Sequence, residues 1–176
     1  LKANGCKVLG MDPDPRQVAF AQSLGFDSLD LSSDINPVDW CNELNSGIGI
    51  DAVLITASTS SSEPVHLAAQ VCRQRGRIVL VGVTGLDIRR DLFYHKEISF
   101  QVSCSYGPGR YDLFYEELGH DYPIGFVRWT EQRNFHAILN LLNSSSFTTA
   151  NYISHRFSLD KAVDAYQLLN SSEYSL

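Results

Sequence analysis

Asp12 has the clearest chemical reading in this chain. It ends the short run Lys7-Val8-Leu9-Gly10-Met11, and Asp14-Pro15-Arg16 then opens a helix. In a dinucleotide-binding βαβ unit, the acid that ends the second strand accepts hydrogen bonds from the adenosine ribose hydroxyls. A carboxylate there repels a 2′-phosphate, which favours NAD over NADP. The alternative is an acid that merely ends a strand. Arg16 also has two readings. A nearby arginine can accommodate a 2′-phosphate, or it can be a solvated residue one turn into the helix. The glycine-rich phosphate turn of such units lies roughly 20 residues before the acid. Only Leu1 to Met11 precede Asp12. The sequence therefore reads as entering after that turn, at the end of a first helix spanning Leu1 to Gly5.

Further candidates sit where apolar runs end. Open α/β sheets bind ligands outside the carboxyl ends of their strands. Thr56-Ala57-Ser58 closes one such run, and its small residues let a cofactor approach the backbone. An ordinary strand-to-helix turn uses the same residues. Gly82-Val83-Thr84-Gly85 closes the next, where glycine permits close approach to a nicotinamide. Ser103-Cys104-Ser105-Tyr106-Gly107-Pro108-Gly109-Arg110-Tyr111 lies beyond the last strand. Arg110 suits a clamp for a carboxylate or phosphate, and Tyr111 and its neighbours suit a sugar or aromatic substrate. A rigid loop with locally packed aromatics is the alternative. Cys104 has no histidine beside it in the sequence to make it a nucleophile. His66, His95, His120, His136 and His155 form no close ligand pair. Cys6, Cys41, Cys72 and Cys104 lack the paired spacing of zinc sites and read as small buried residues. Neither a GxSxG elbow nor a Walker A sequence is present. The chain shows cofactor-site features without a self-contained catalytic set.

Alternating strand and helix signals must position these residues, which argues for a parallel sheet with helices on both faces. A helix is expected from Pro15 to Leu24, with Asp14 as N-cap, Gly25 past its end, and Val18, Ala21 and Leu24 on one face. A strand around Ser28 to Leu31 follows. Asn36-Pro37 starts a helix with Val38, Cys41 and Leu44 inward. Asp51 to Thr56 reads as a strand covered on both faces. A helix from Pro64 to Arg75 stops at Gly76, and Arg77 to Gly82 forms the next buried strand. Glu97 to Ser103 alternates as an edge strand, with Ile98, Phe100 and Val102 on one side. From Ser105 to Arg128 the chain is a long loop, and such loops are often functional. Thr130 caps a helix from Glu131 to Leu142 with Phe135, Ile138, Leu139 and Leu142 as its stripe. Ser158 caps a last helix with Ala162, Ala165, Tyr166 and Leu169 inward. No internal repeat or second domain is evident, so residues 1–176 read as one domain.

Composition narrows the function. The chain has 176 residues and a net charge of −6. It carries no basic stripe for nucleic acid and no apolar run near the roughly 20 residues that span a bilayer. Nothing after Leu1 resembles a signal peptide. The expected setting is the cytoplasm, with neither nucleic acid nor membrane as a partner.

Val8 to Gly25, Asp51 to Ser58 and Gly76 to Gly85 together resemble the nucleotide-binding half of the medium-chain, zinc-alcohol-dehydrogenase-like oxidoreductases. Ile153-Ser154-His155-Arg156-Phe157 and Asp160 to Tyr166 are similar to that family's closing strand and helix. The segments Ser103 to Tyr111 and Asp121 to Glu131 resemble bi-domain members, in which a Gfo/Idh/MocA-type domain follows. The resemblance implies a Rossmann-like doubly wound parallel sheet, truncated at the N-terminus. It implies that Asp12 holds the adenosine ribose and that Thr56 and Ala57 line the cofactor cleft. Val81, Gly82 and Val83 would pass the nicotinamide, with Ser103, Cys104 and Ser105 near its carboxamide. The catalytic zinc ligands would belong to another domain.

The first strand, absent from this sequence, sits centrally in the order 3-2-1-4-5-6. Its neighbours, ending at Asp12 and Thr56, are expected to pair directly, to be filled by another chain, or to belong to a longer one. Function then reads as hydride transfer between NAD and an alcohol or sugar derivative, with this piece inert alone. A nucleotide sensor without turnover is the alternative. An association module is another, pairing as a homodimer through Glu97 to Ser103.

Overall fold

The structure is a computed structural model, and it describes residues 1–145 and 147–170. Two compact units form: Leu1–Ser32 with the segment from His136 onward, and Ser33–Phe135.

In the first unit, a 3₁₀ turn at Lys2–Asn4 precedes strand β1 (Leu9–Asp12), helix α1 (Pro15–Ser23) and strand β2 (Asp27–Asp30). The α1 start follows from its sequence. Proline occupies the first turn, where no intrahelical donor is lost, and the Asp14 side chain accepts the Arg16 N–H at 2.9 Å. Gly25 takes φ +78° past the helix end. β1 and β2 are parallel, with Leu9 opposite Asp27 and Asp12 opposite Asp30. Val18 and Leu29 are buried. The unit also holds the later part of α6 (Glu131–Asn143) and α7 (Ala162–Leu169).

In the second unit, α2 (Pro37–Leu44) is capped by Asn36, whose Oδ1 accepts from Val38 at 2.9 Å and Asp39 at 3.3 Å. Strands β3 (Ile50–Ile55), β4 (Cys72–Leu80) and β5 (Ser99–Val102) form a parallel sheet in the order β3-β4-β5. Helices α3 (Glu63–Val71) and α4 (Arg90–Tyr94) join them. Ile55, Val65, Ala68, Ala69, Cys72, Ile78 and Leu80 make the core, with Leu92, Phe93 and Phe100 packed against it. β5 pairs on one side only among the described residues, as expected of an edge strand.

Several expectations are corrected. β3 is covered on one face alone: Val53 and Ile55 meet the core, whereas Leu54 is 46% exposed. α3 ends at Val71, not Arg75. The Lys96 ammonium draws off its last carbonyls, donating to Ala69 O, Gln70 O and Cys72 O at 2.7–3.0 Å. Arg73 to Gly76 then bulge from β4, since Ile50 pairs with Cys72 but Ala52 with Arg77. Ile153 to Phe157 is irregular rather than a strand, because its backbone joins no ladder among the described residues. On α6, Phe135, Ile138 and Leu139 are exposed, as are Tyr166 and Leu169 on α7. Both stripes are apolar, and each is covered only in part, with Leu142, Ala162 and Ala165 half-buried. Ser158 makes no side-chain cap; a 3₁₀ turn at Leu159–Lys161 leads into α7 instead. β1 pairs with β2, and β3 pairs with β4, among the described residues.

Ile78 is fully buried in the core and Leu54 is not. Ile78→Ala is expected to cost about 2–5 kcal/mol, and Leu54→Ala under about 1 kcal/mol. Urea unfolding of the two variants measures the contrast.

Candidate functional site

At the carboxyl end of β1, three features converge. Asp12 Oδ1 accepts the Asp14 N–H at 2.8 Å, which pins the carboxylate at the strand end. Asp30 lies beside it in register, and its Oδ1 accepts from Ser32 N and Oγ. A cleft of about 420 Å³ opens next to the strand, lined by Gly10, Asp12, Val18, Ala21, Ser28 and Tyr152 among others. That volume suits a small ligand, and its mostly apolar wall carries a carboxylate able to accept from hydroxyls. Arg16 is tied to Asp14, with Nε 3.1 Å from both carboxylate oxygens and Nη2 2.6 Å from Oδ2. This fork holds the Asp14 carboxyl below the usual carboxylate range and raises the guanidinium.

In the second unit, the carboxyl ends of β3 and β4 are stitched backbone to backbone. Val81 N and Gly82 N both donate to Ile55 O at 2.9 Å. Val83 N donates to Ala57 O at 3.0 Å, and Thr59 N to Val83 O at 2.8 Å. Thr56, Ala57 and Ser58 are exposed, as are Val81 and Val83. Glycine at 82 is explained by this joint. A Cβ there would overlap the Ala57 carbonyl oxygen and lie 2.7 Å from the Thr56 carbonyl carbon. The close approach is thus to the neighbouring strand end. Thr84 Oγ1 is buried without a hydrogen-bond partner. The sequence pattern did not single out that hydroxyl. Its unsatisfied donor and acceptor are a signal only the packing reveals. Ser103 N continues the ladder to Leu80 O at 2.8 Å, and Ser103, Cys104 and Ser105 are exposed beyond β5. Of the cysteines, Cys41 and Cys72 are buried, the latter pushed up to about 11 by burial, whereas Cys6 and Cys104 are exposed.

The long loop is a cross-linked knot. Arg110 pairs with Glu116 and lies over the Tyr111 ring at 4.2 Å. Tyr106 also donates to Glu116, and Tyr122 donates to Asp112 at the start of α5 (Leu113–Glu116). Tyr115 stacks on Tyr122 and fills the space at Gly109, where φ is +97°. The Tyr115 hydroxyl accepts the Glu131 N–H at 3.1 Å. Thr130, expected to cap α6, is fully buried with its Oγ1 unpartnered. Tyr111 is exposed. Arg110 is thus already engaged by a carboxylate of its own loop.

A larger recess of about 760 Å³ lies at the amino ends of β4 and β5, between Arg75, Arg90, Tyr94 and Glu97. It is at the opposite strand ends from the residues above. Among the described residues, no three His, Cys, Asp or Glu side chains gather as a metal site, and no helix is long and apolar enough to cross a membrane.

A family model of zinc-binding dehydrogenases matches residues 1–119. The chain belongs to this family. Solved structures similar to this zinc-binding dehydrogenase chain include the alcohol dehydrogenase TADH from Thermus sp. ATN1 (TM-score 0.65, 22% identity, 95% of this chain and 41% of that one). The 2R,3R-butanediol dehydrogenase from Bacillus subtilis gives a TM-score of 0.72 at 19% identity, over 98% of this chain and 43% of that one. A quinone oxidoreductase from Pseudomonas syringae pv. Tomato DC3000 gives 0.61 at 17% identity, over 99% and 48%. The chain therefore spans less than half the length of these structures. The likenesses show the fold: a Rossmann-like α/β arrangement of parallel strands, here in two small sheets. Family and fold make this an oxidoreductase-type dinucleotide-binding domain.

Gly82→Ala forces apart the ends of β3 and β4 and is expected to cost about 1–3 kcal/mol in urea unfolding. In the knot, the Tyr106 hydroxyl and then Arg110 hold Glu116 below its ordinary 4.5, and the Tyr122 hydroxyl holds Asp112 below 3.8. Folded values below unfolded ones mean stabilisation present above the ordinary values and lost as pH falls through the lowered ones. Tyr106 is pushed up to about 12, first by loss of solvent and then by Glu116, so its share is lost as pH rises from 10 towards that value. Amide protection across 105–128, measured as the exchange rate relative to the intrinsic rate at the same pH, should fall on acidification below the usual carboxylate range, and Glu116→Gln should flatten that response.

Proposed function

We propose that this chain is the NAD-binding part of an oxidoreductase that transfers a hydride between NAD and an alcohol or sugar derivative. Asp12 carries the reading: a pinned carboxylate at the end of a parallel strand, beside a cleft, in a chain of the zinc-binding dehydrogenase family. It accepts from the adenosine ribose hydroxyls. Asp30 beside it adds negative charge that disfavours a 2′-phosphate, which supports NAD over NADP.

NAD supplies the hydride-accepting ring, and the protein's part is to bind and orient it. In this reading Thr56 and Ala57 line the cleft. Val81, Gly82 and Val83 pass the nicotinamide, and Ser103, Cys104 and Ser105 meet its carboxamide. The unpartnered Thr84 hydroxyl fits a polar ligand group near this strand end. Arg110 and Tyr111 remain the substrate-side candidates, with Arg110 needing to leave Glu116 to act. Any catalytic zinc is held by residues outside this chain, which alone does not turn over substrate. The edge of β5 serves a homodimer.

The test is calorimetric titration of NAD⁺ and NADP⁺ into the natural protein that contains these residues. NAD⁺ is expected to bind more tightly. Asp12→Ala removes hydrogen bonds to a charged acceptor, worth about 1.5–3 kcal/mol, and should weaken NAD⁺ by about ten- to a hundredfold. Unchanged binding in a folded Asp12→Ala protein removes Asp12 from the site.

A further inference from the structure

The geometry of one turn points to Asp14 as a determinant of nucleotide choice, acting by holding Arg16 closed; this rests on the dinucleotide reading above. The turn is Asp12-Pro13-Asp14-Pro15-Arg16. Two prolines fix φ on either side of Asp14. Asp12 Oδ1 accepts from Asp14 N, and Asp14 Oδ1 accepts from Arg16 N at 2.9 Å. The backbone is thereby set, and the Arg16 side chain is the part free to reorient.

That side chain is folded back on its own turn. Nε and Nη2 of Arg16, the donors that grip a carboxylate side-on, are spent on Asp14. Phosphate takes the same planar fork. A 2′-phosphate arriving beside Asp12 therefore meets two carboxylates, Asp12 and Asp30, and a guanidinium already neutralised. An unphosphorylated ribose meets acceptors for its hydroxyls and needs no cation. Asp14 in this way does two jobs. Its Oδ1 caps α1, and its charge withholds Arg16 from a phosphate. Asp12 repels the phosphate; Asp14 removes the group that would compensate.

The two jobs separate cleanly by substitution. Asparagine caps a helix as well as aspartate does, so Asp14→Asn keeps α1 and opens the fork. Arg16 is 63% exposed and Asp14 30%. A pair so close to solvent is a modest restraint, and releasing it should raise NADP⁺ affinity relative to NAD⁺ by about two- to fivefold.

The experiment compares NAD⁺ and NADP⁺ dissociation constants in the natural full-length protein, Asp14→Asn, and Asp14→Asn with Arg16→Ala. Far-ultraviolet circular dichroism and urea unfolding establish that each variant is folded. The expected result is a ratio shifted towards NADP⁺ in Asp14→Asn and restored in the double variant. A folded Asp14→Asn that binds NAD⁺ with an unshifted ratio overturns the assignment. So does a shift that survives removal of Arg16, which traces it to lost repulsion alone. If the unaltered protein binds neither nucleotide, the dinucleotide reading itself falls, and this inference with it.

Discussion

The Ile55 carbonyl oxygen accepts from both Val81 and Gly82, and the carboxyl edge of the three-stranded sheet depends on that joint. Parallel strands leave their last carbonyls and the loops that follow at one common edge. Here the two loops do not splay apart. Val83 and Thr59 extend the pairing past the formal strand ends, and Ser58 bridges Val83. Ser62 Oγ accepts from Asp87 N, and His66 Nε2 lies 2.7 Å from Asp87 O, which ties the second loop to α3. The joint admits no side chain at position 82. One glycine thus decides how closely two loops run and leaves Thr56, Ala57, Val81 and Val83 on the outside.

The ends of α1 and the start of α2 are legible in the sequence, because a few neighbouring residues determine them. Asp14 and Asn36 cap the helices they precede, and Gly25 takes the left-handed conformation past α1. Each is a contact within three or four positions, and residue type alone selects it. The parallel arrangement was also legible, because alternating strand and helix runs leave few other topologies. The strand-end candidates follow from that arrangement without further information.

Long-range contacts explain the failures. α3 stops short because Lys96, a residue 25 positions beyond Val71, takes its terminal carbonyls. No local pattern around Arg75 announces it. Thr130 has the right type for a cap, yet the hydroxyl that meets Glu131 N comes from Tyr115. Arg110 reads as an available clamp because its partner Glu116 is six positions on, past Tyr111 at φ +70° and on α5. In each case a side chain distant along the chain satisfied a polar group first.

The apolar stripes obey a different limit. Phe135, Ile138 and Leu139 recur at helical spacing on α6, and Tyr166 and Leu169 do so on α7. Spacing tells which residues share a face; it carries nothing about what lies against that face. Leu54 makes the same point in a strand. It alternates correctly with Val53 and Ile55, and α3 packs on the other side. Burial is a property of two surfaces, and a periodic sequence describes one of them. Asp12 differs in kind: its turn holds the carboxylate through Asp14 N, within two residues. A turn of this kind can be read from sequence, whereas a covered face needs the coordinates of both partners.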